Sequence, residues 1–161
     1  MDAAEISSIL RDSVTIDLVE RATLMRFAYL ATDGSPRVVP VGYLLREDTF
    51  SFCTVPTSDK VAALTRDPRV AITVDLMEPL CCLLVRGRAA VEIVEGVPDD
   101  YLEASHRGMP VEQHAGFDEQ VRALYDSMAR ITITPTWVRL NDFKRTAPRA
   151  VERLIAAKGA S

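Results

Sequence analysis

The sequence predicts a mainly β domain with flanking helices, an α+β fold in which six antiparallel strands close into a small barrel. Three observations carry that expectation. Apolar and small polar residues alternate with period two through much of the middle of the chain. Glycine, proline and aspartate punctuate those runs at short intervals. Helical spacing is confined to the two ends, one compact internal helix and one helical insertion. The connections between the first three strands are shorter than the roughly twelve residues that a parallel βαβ unit needs, which disfavours a Rossmann arrangement.

The 161 residues read as one domain. A helical lead-in covers 1–26, the barrel 26–140 with a helical insertion at 98–128, and a C-terminal tail and helix 141–161. In the lead-in, a short helix runs from Ala3 to Arg11. Ser13 or Thr15 then caps a second helix, whose apolar positions Ile16, Val19, Ala22 and Met25 recur at threes. RFAYLAT (26–32), the turn DGSP (33–36) and the β-branched run RVVPVGYLL (37–45) form a hairpin. REDT (46–49) turns the chain into the strand FSFCTV (50–55). SDKVAALTRDP then reads as a compact helix with Ser58 as N-cap, Val61 and Leu64 inward and Pro68 beyond its end.

RVAITVDL (69–76) is the fourth strand, and LCCLLVRGRAAVEIV (80–94) the fifth, long enough to be one bent strand with Gly87 at the bend. After Pro98, DDYLEASHRG and FDEQVRALYDSM read as two helices around a polar loop. ARITITPTWVRL (129–140) restores strand alternation, and Arg149 to Lys158 closes the chain as a helix.

Composition excludes several function classes. A formal charge of −4 opposes the positive field that nucleic acid demands. The most apolar long window, Val70 to Val85, is broken by Asp75, Glu78 and Pro79, so it cannot span a membrane. The start, MDAAEISSIL, has acids where a secretory signal carries basic residues. Cys53, Cys81 and Cys82 lack both disulfide and zinc spacing and suit a reduced compartment, so a cytoplasmic location is expected. His106 and His114, in the polar interhelical loop, lack the neighbours of a metal site and are expected at the surface. No metal is expected.

The stretch FCTVPTSDKVAAL (52–64) carries the densest chemistry. Ser58 opens a helix, where unpaired N–H groups and the positive dipole end attract an anion, and Lys60 adds a mobile cation. Thr54 and Thr57 supply hydroxyls at the strand end, so these side chains and several amides could surround one phosphate. The same residues fit a simpler account, in which Ser58 caps the helix, Asp59 complements its dipole and Lys60 lies in solvent. Trp137, the single tryptophan, is either a ring stacked near a ligand or an aromatic of the core or of a dimer interface.

From about Thr15 to about Arg145 the order of features resembles the pyridoxamine 5′-phosphate oxidase-like superfamily, the flavin-binding split barrels. Members carry R-x-V-x-x on a strand pair, a strand ending in Thr, S-R-K opening a helix, and N-P or D-P before the next strand. Here stand Arg37, Val38, Val39, Pro40 and Val41, then Phe52, Cys53 and Thr54, then Ser58, Asp59 and Lys60, then Asp67 and Pro68. The resemblance implies a six-stranded antiparallel split β-barrel and a homodimer with two flavin sites at its interface. It also implies FMN, or the deazaflavin coenzyme F-420, with the phosphate on Thr54, Ser58 and Lys60 and the ring against Arg37 to Val41. Arg37 would stand near the ring's N1 and C2 oxygen, and Trp137 near the partner's flavin.

The implied activity is hydride transfer between the flavin and a small organic substrate, with no side chain singled out as acid or base. A non-catalytic flavin-binding or redox-accessory module is the alternative. Two departures bear on that choice. Asp59 stands where many members have a second basic residue. The true oxidases end in R-L-x-P, a Trp-Gly and a substrate arginine, where this chain reads RITITPTWVRLNDFKR, so vitamin B6 oxidation is not expected.

Overall fold

The computed structural model describes residues 1–144 and 149–159, so the parts of the expected tail at 145–148 and 160–161 lie outside the described residues. Helix α1 (Ala3–Leu10) begins with a capping box, in which Asp2 accepts from the Glu5 amide and Glu5 accepts from the Asp2 amide, both at 2.8 Å. Helix α2 (Ser13–Arg21) is capped by Asp12 rather than Ser13 or Thr15: the Asp12 carboxylate accepts from the Val14 amide at 2.8 Å. Ser13 is thus already helical, and Thr15 is turned fully inside, its hydroxyl buried without a partner.

The apolar face of α2 also differs from expectation. Leu18 is the fully buried residue, Ile16 is 46% exposed, and Met25 lies beyond the helix. Arg107 explains the early stop. Its guanidinium donates to the carbonyls of Val19 and Ala22 at the end of α2, and to Tyr43 O at 2.8 Å. The last carbonyls are thereby satisfied and the chain turns extended at Ala22.

Strands β1 (Leu24–Leu30) and β2 (Pro36–Gly42) form the expected hairpin. Gly34 supplies a φ of +82°, and Asp33 accepts from the Ser35 amide and hydroxyl. One expectation fails here: the run 37–45 is two strands. Beyond Gly42, β3 (Leu44–Arg46) leaves β1 and pairs with β4 (Thr49–Thr54) through a two-residue turn, Glu47–Asp48, with both φ values positive. Helix α3 (Asp59–Arg66), β5 (Arg69–Met77), β6 (Leu80–Glu95), α4 (Asp99–His106), α5 (His114–Leu124), β7 (Ser127–Asp142) and α6 (Arg149–Gly159) complete the described chain.

The sheet therefore has seven strands, in the order β2-β1-β5-β6-β7-β4-β3, and every pairing is antiparallel. Its two edge strands, β2 and β3, are separated in sequence by Tyr43 alone. Strands one residue apart can occupy opposite edges only if the sheet rolls until those edges meet. The result is an open ladder consistent with an α+β split barrel, and Tyr43 at the seam is fully buried.

Phe27, Phe52, Leu83, Ile131 and Ile133 fill the barrel, and Ala63 and Leu64 of α3 close one end. A second cluster, Val97, Leu102, Val121 and Met128, lies under α4 and α5. Asp100 ties α4 to the sheet, standing 3.4 Å from Arg46 and 3.1 Å from Arg130. The second helix of the insertion starts earlier than expected and ends at Leu124, so Ser127 and Met128 already belong to β7. Among the described residues no helix is long and apolar enough to cross a membrane.

Candidate functional site

Side chains on successive strand residues point to opposite faces, and residues directly opposite on antiparallel strands share a face. One cross-strand row on the outer face is continuous through the register: Val38 faces Ala28, Ala28 faces Ala71, Ala71 faces Arg86, and Arg86 faces Trp137. With neighbouring strands about 4.8 Å apart, the stretch from Val38 to Arg86 is about 14 Å wide, and its floor is two alanine methyls.

The far end of the row depends on a β-bulge. Arg86 is opposite Trp137 but Gly87 is opposite Pro135, so Thr136 is an extra residue on β7. The extra residue reverses the parity of β7, which brings Trp137 out to the face that Arg86 occupies. Gly87 was expected at the bend of β6, and the reason for glycine is steric. A Cβ there would stand 2.7 Å from Thr134 O and 2.8 Å from Ile133 Cγ2.

A cleft of about 560 Å³ follows this row, within the size range of small-molecule sites. Ala28, Leu30, Pro36, Val38 and Ala71 give it an apolar lining, and among the described residues its charged members are Arg37, Arg69, Arg86 and Arg88. Two of the four are paired. Arg37 lies 3.8 Å from Asp33 and donates to Ser35, while Arg69 holds Asp67 at 2.6 Å. The hydrogen bonds from Arg69 keep the Asp67 carboxyl down at about 2. Arg86 instead lies over the Trp137 ring, 4.3 Å from its centroid.

The expected site residues separate into three groups. Val38 and Pro40 face outward, but Val39 and Val41 pack against the core and Arg37 has the inward parity of its partner Tyr29, with its guanidinium at the rim. Phe52 is core, edge-to-face on Phe27 with centroids 4.8 Å apart. Cys53 packs against the cluster of Val97, Leu102, Val121 and Met128, and burial pushes its thiol up to about 11. Thr54, Ser58, Asp59 and Lys60 do not line the cleft.

Those four lie instead where β4 ends and α3 begins. Ser58 has N-cap backbone geometry, yet its hydroxyl makes no bond to the helix. Capping therefore does not occupy the Ser58 side chain. Lys60 is half-buried and, among the described residues, has no hydrogen-bond or ion-pair partner. Asp59 is exposed in the first turn.

Ala28 and Ala71 were not singled out in the sequence. Their signal was present, since each is the small residue between large ones in RFAYL and RVAIT, but only the cross-strand register joins them. The histidines are not loop residues. His106 ends α4, His114 begins α5, and their rings stack 3.8 Å apart, with His106 Nε2 2.7 Å from Asp118. Among the described residues no group of three or more potential ligands is placed to hold a metal.

Comparison with solved structures shows the same fold. An F-420 reductase superposes with a TM-score of 0.62 at 23% identity, over 76% of this chain and 94% of that one. A conserved hypothetical protein from Mycobacterium tuberculosis gives 0.58 at 23% identity, over 88% and 85%. A pyridoxamine 5′-phosphate oxidase-related, FMN-binding protein from Nostoc punctiforme gives 0.59 at 13% identity, over 84% of each chain. No curated protein matches the sequence significantly. The family model for pyridoxamine 5′-phosphate oxidase matches residues 15–142, and the chain belongs to that family.

Proposed function

We propose that the protein is a cytoplasmic, homodimeric flavin-dependent oxidoreductase that moves a hydride between a bound flavin and a small organic substrate. The observation that carries this reading is the outer-face row from Val38 to Trp137. It joins two residues expected at the ring site, 99 positions apart in sequence, across a flat alanine floor that a planar tricycle fits. The names of two structural relatives, an F-420 reductase and an FMN-binding protein, support a flavin-type cofactor of either kind.

The residues fit such a group. Lys60 and the uncommitted Ser58 hydroxyl, with Thr54 beside them, would hold the phosphate at the start of α3. Val38 would border the ring, with Trp137 behind Arg86 at the end of the row, and the apolar lining would keep water from it. The bound flavin supplies the hydride chemistry, and the protein supplies position and electrostatics. The guanidiniums along the cleft favour an anionic reduced ring.

One observation favours the second reading, a flavin-binding module without turnover. Asp59 places an exposed carboxylate in the first turn of α3, next to the proposed phosphate position, where it weakens attraction for a dianion. Side-by-side titration of the purified chain with FMN and coenzyme F-420, followed by NADPH and an electron acceptor, separates the outcomes. Bleaching and re-oxidation support the enzyme. Bound flavin that never turns over supports the module, and no binding of either cofactor refutes both.

A further inference from the structure

Arg86 is the guanidinium of the cleft whose charge no nearby acid answers. Asp33 and Asp67 answer Arg37 and Arg69, and Arg88 contributes to the field that lowers Asp67. Among the described residues no carboxylate lines the cleft. Arg86 is also held in place: Trp137 covers its guanidinium at 4.3 Å, and the Thr136 hydroxyl donates to its carbonyl at 3.2 Å. With a face occupied by the indole, the guanidinium keeps its N–H edge for a ligand. A planar carboxylate matches that edge with two parallel hydrogen bonds.

The floor beside it, Ala28 and Ala71, offers only methyl groups and takes a flat apolar body. We propose that Arg86 anchors the carboxylate of the protein's substrate, and that the substrate class is a flat aromatic or conjugated carboxylic acid, which stacks over the ring when flavin covers the alanine floor and lies on the floor itself when no cofactor is bound. The proposal rests on the flavin reading for what becomes of the acid, but its binding is testable without cofactor. It assigns Arg86 a binding role that neither a solvated arginine nor a purely structural cation–π pair has.

Trp137 is the single tryptophan, so its fluorescence reports directly on the proposed site. The full chain is titrated with trans-cinnamate, trans-cinnamamide and phenyl phosphate, each checked by calorimetry. Cinnamate is expected to bind at least tenfold more tightly than the neutral amide and more tightly than phenyl phosphate. R86Q, on an exposed position, is expected to lose at least tenfold for cinnamate while binding the amide unchanged. Equal affinity for acid and amide, tighter phenyl phosphate, or an R86Q variant that binds cinnamate normally overturns the proposal.

FMN titration of the same variants keeps the two ideas apart. If R86Q loses FMN but not cinnamate, Arg86 serves the cofactor and the substrate proposal fails alone. Discriminating cinnamate binding by a chain that takes neither flavin leaves the carboxylate site standing and sinks the redox reading.

Discussion

Arg86 and Trp137 lie opposite each other on β6 and β7, with the guanidinium carbon 4.3 Å from the indole centroid. Their meeting depends on one inserted residue. Without Thr136 as the extra member of the β-bulge, Trp137 would have the inward parity of Ile133 and Pro135, and Arg86 would stand alone. The bulge thus brings the indole onto Arg86 at the end of the cleft, where a strand of strict alternation would bury the aromatic ring.

Trp137 is half-buried, so its removal should affect the ligand more than the fold. Trp137→Leu is expected to weaken flavin binding by about 1 kcal/mol, the scale of one aromatic contact, while Trp137→Phe keeps most of the affinity. Flavin fluorescence titration reads the first effect, and urea unfolding checks that stability changes less. Equal affinity in Trp137→Leu would place the ring away from β7.

If the proposed phosphate sits at the start of α3, Lys60 and Asp59 act on it in opposite directions. Lys60→Ala is expected to weaken FMN by about 1.5–3 kcal/mol through the loss of a charge-assisted contact. Asp59→Lys, which removes an exposed acid and adds a cation in the first turn, is expected to tighten it by about 1 kcal/mol. A riboflavin titration, lacking the phosphate, should show neither change. An identical response of FMN and riboflavin would remove the phosphate from this corner.

Gly87 tests the bulge itself. Its missing Cβ would press on Thr134 O at 2.7 Å and Ile133 Cγ2 at 2.8 Å, and a backbone oxygen inside a sheet cannot rotate away. Gly87→Ala is expected to lower the unfolding free energy by about 1–3 kcal/mol in urea. Because β7 must shift to make room, the Trp137 emission should change in the folded protein as well. A variant of wild-type stability would mean that the two long strands yield more than a packed sheet does.

What the sequence disclosed was local. The turn at Asp33–Gly34, the start of α3 and the glycine bend of β6 each have a chemical signature within a few residues, and each is where it was expected. The break at Tyr43 has none: Gly42 and Tyr43 sit inside an unbroken apolar run, and the split comes from β2 and β3 joining opposite sheet edges. Likewise the cap of α2 went to Asp12, one residue before the expected Ser13, and the helix stopped where Arg107 reaches it from 85 residues away. The residues proposed to hold the phosphate are contiguous in sequence, so a single window contains them. The cleft combines residues of five strands through register and a bulge, which no window of sequence contains.

Tyr43, at that seam, predicts an alkaline limit to stability. Burial pushes its phenol up to about 12 from an ordinary value of 10, against a smaller opposing effect of the Arg107 guanidinium over the ring at 5.1 Å. Below pH 10 the phenol is neutral in both folded and unfolded chains, and the fold keeps its full stability. Between pH 10 and 12 only the unfolded chain ionises, so stability falls, by about 3 kcal/mol in all; above 12 both forms are ionised and the loss levels off. Tyr43→Phe removes this titration. Among the described residues the buried Tyr43 hydroxyl has no hydrogen-bond partner, so the same change should cost nothing at pH 7 and add about 1 kcal/mol. Urea unfolding at pH 7, 9.5 and 11.5 reads both effects. A parallel fall for wild type and variant between pH 9.5 and 11.5 would show that another group sets the alkaline limit.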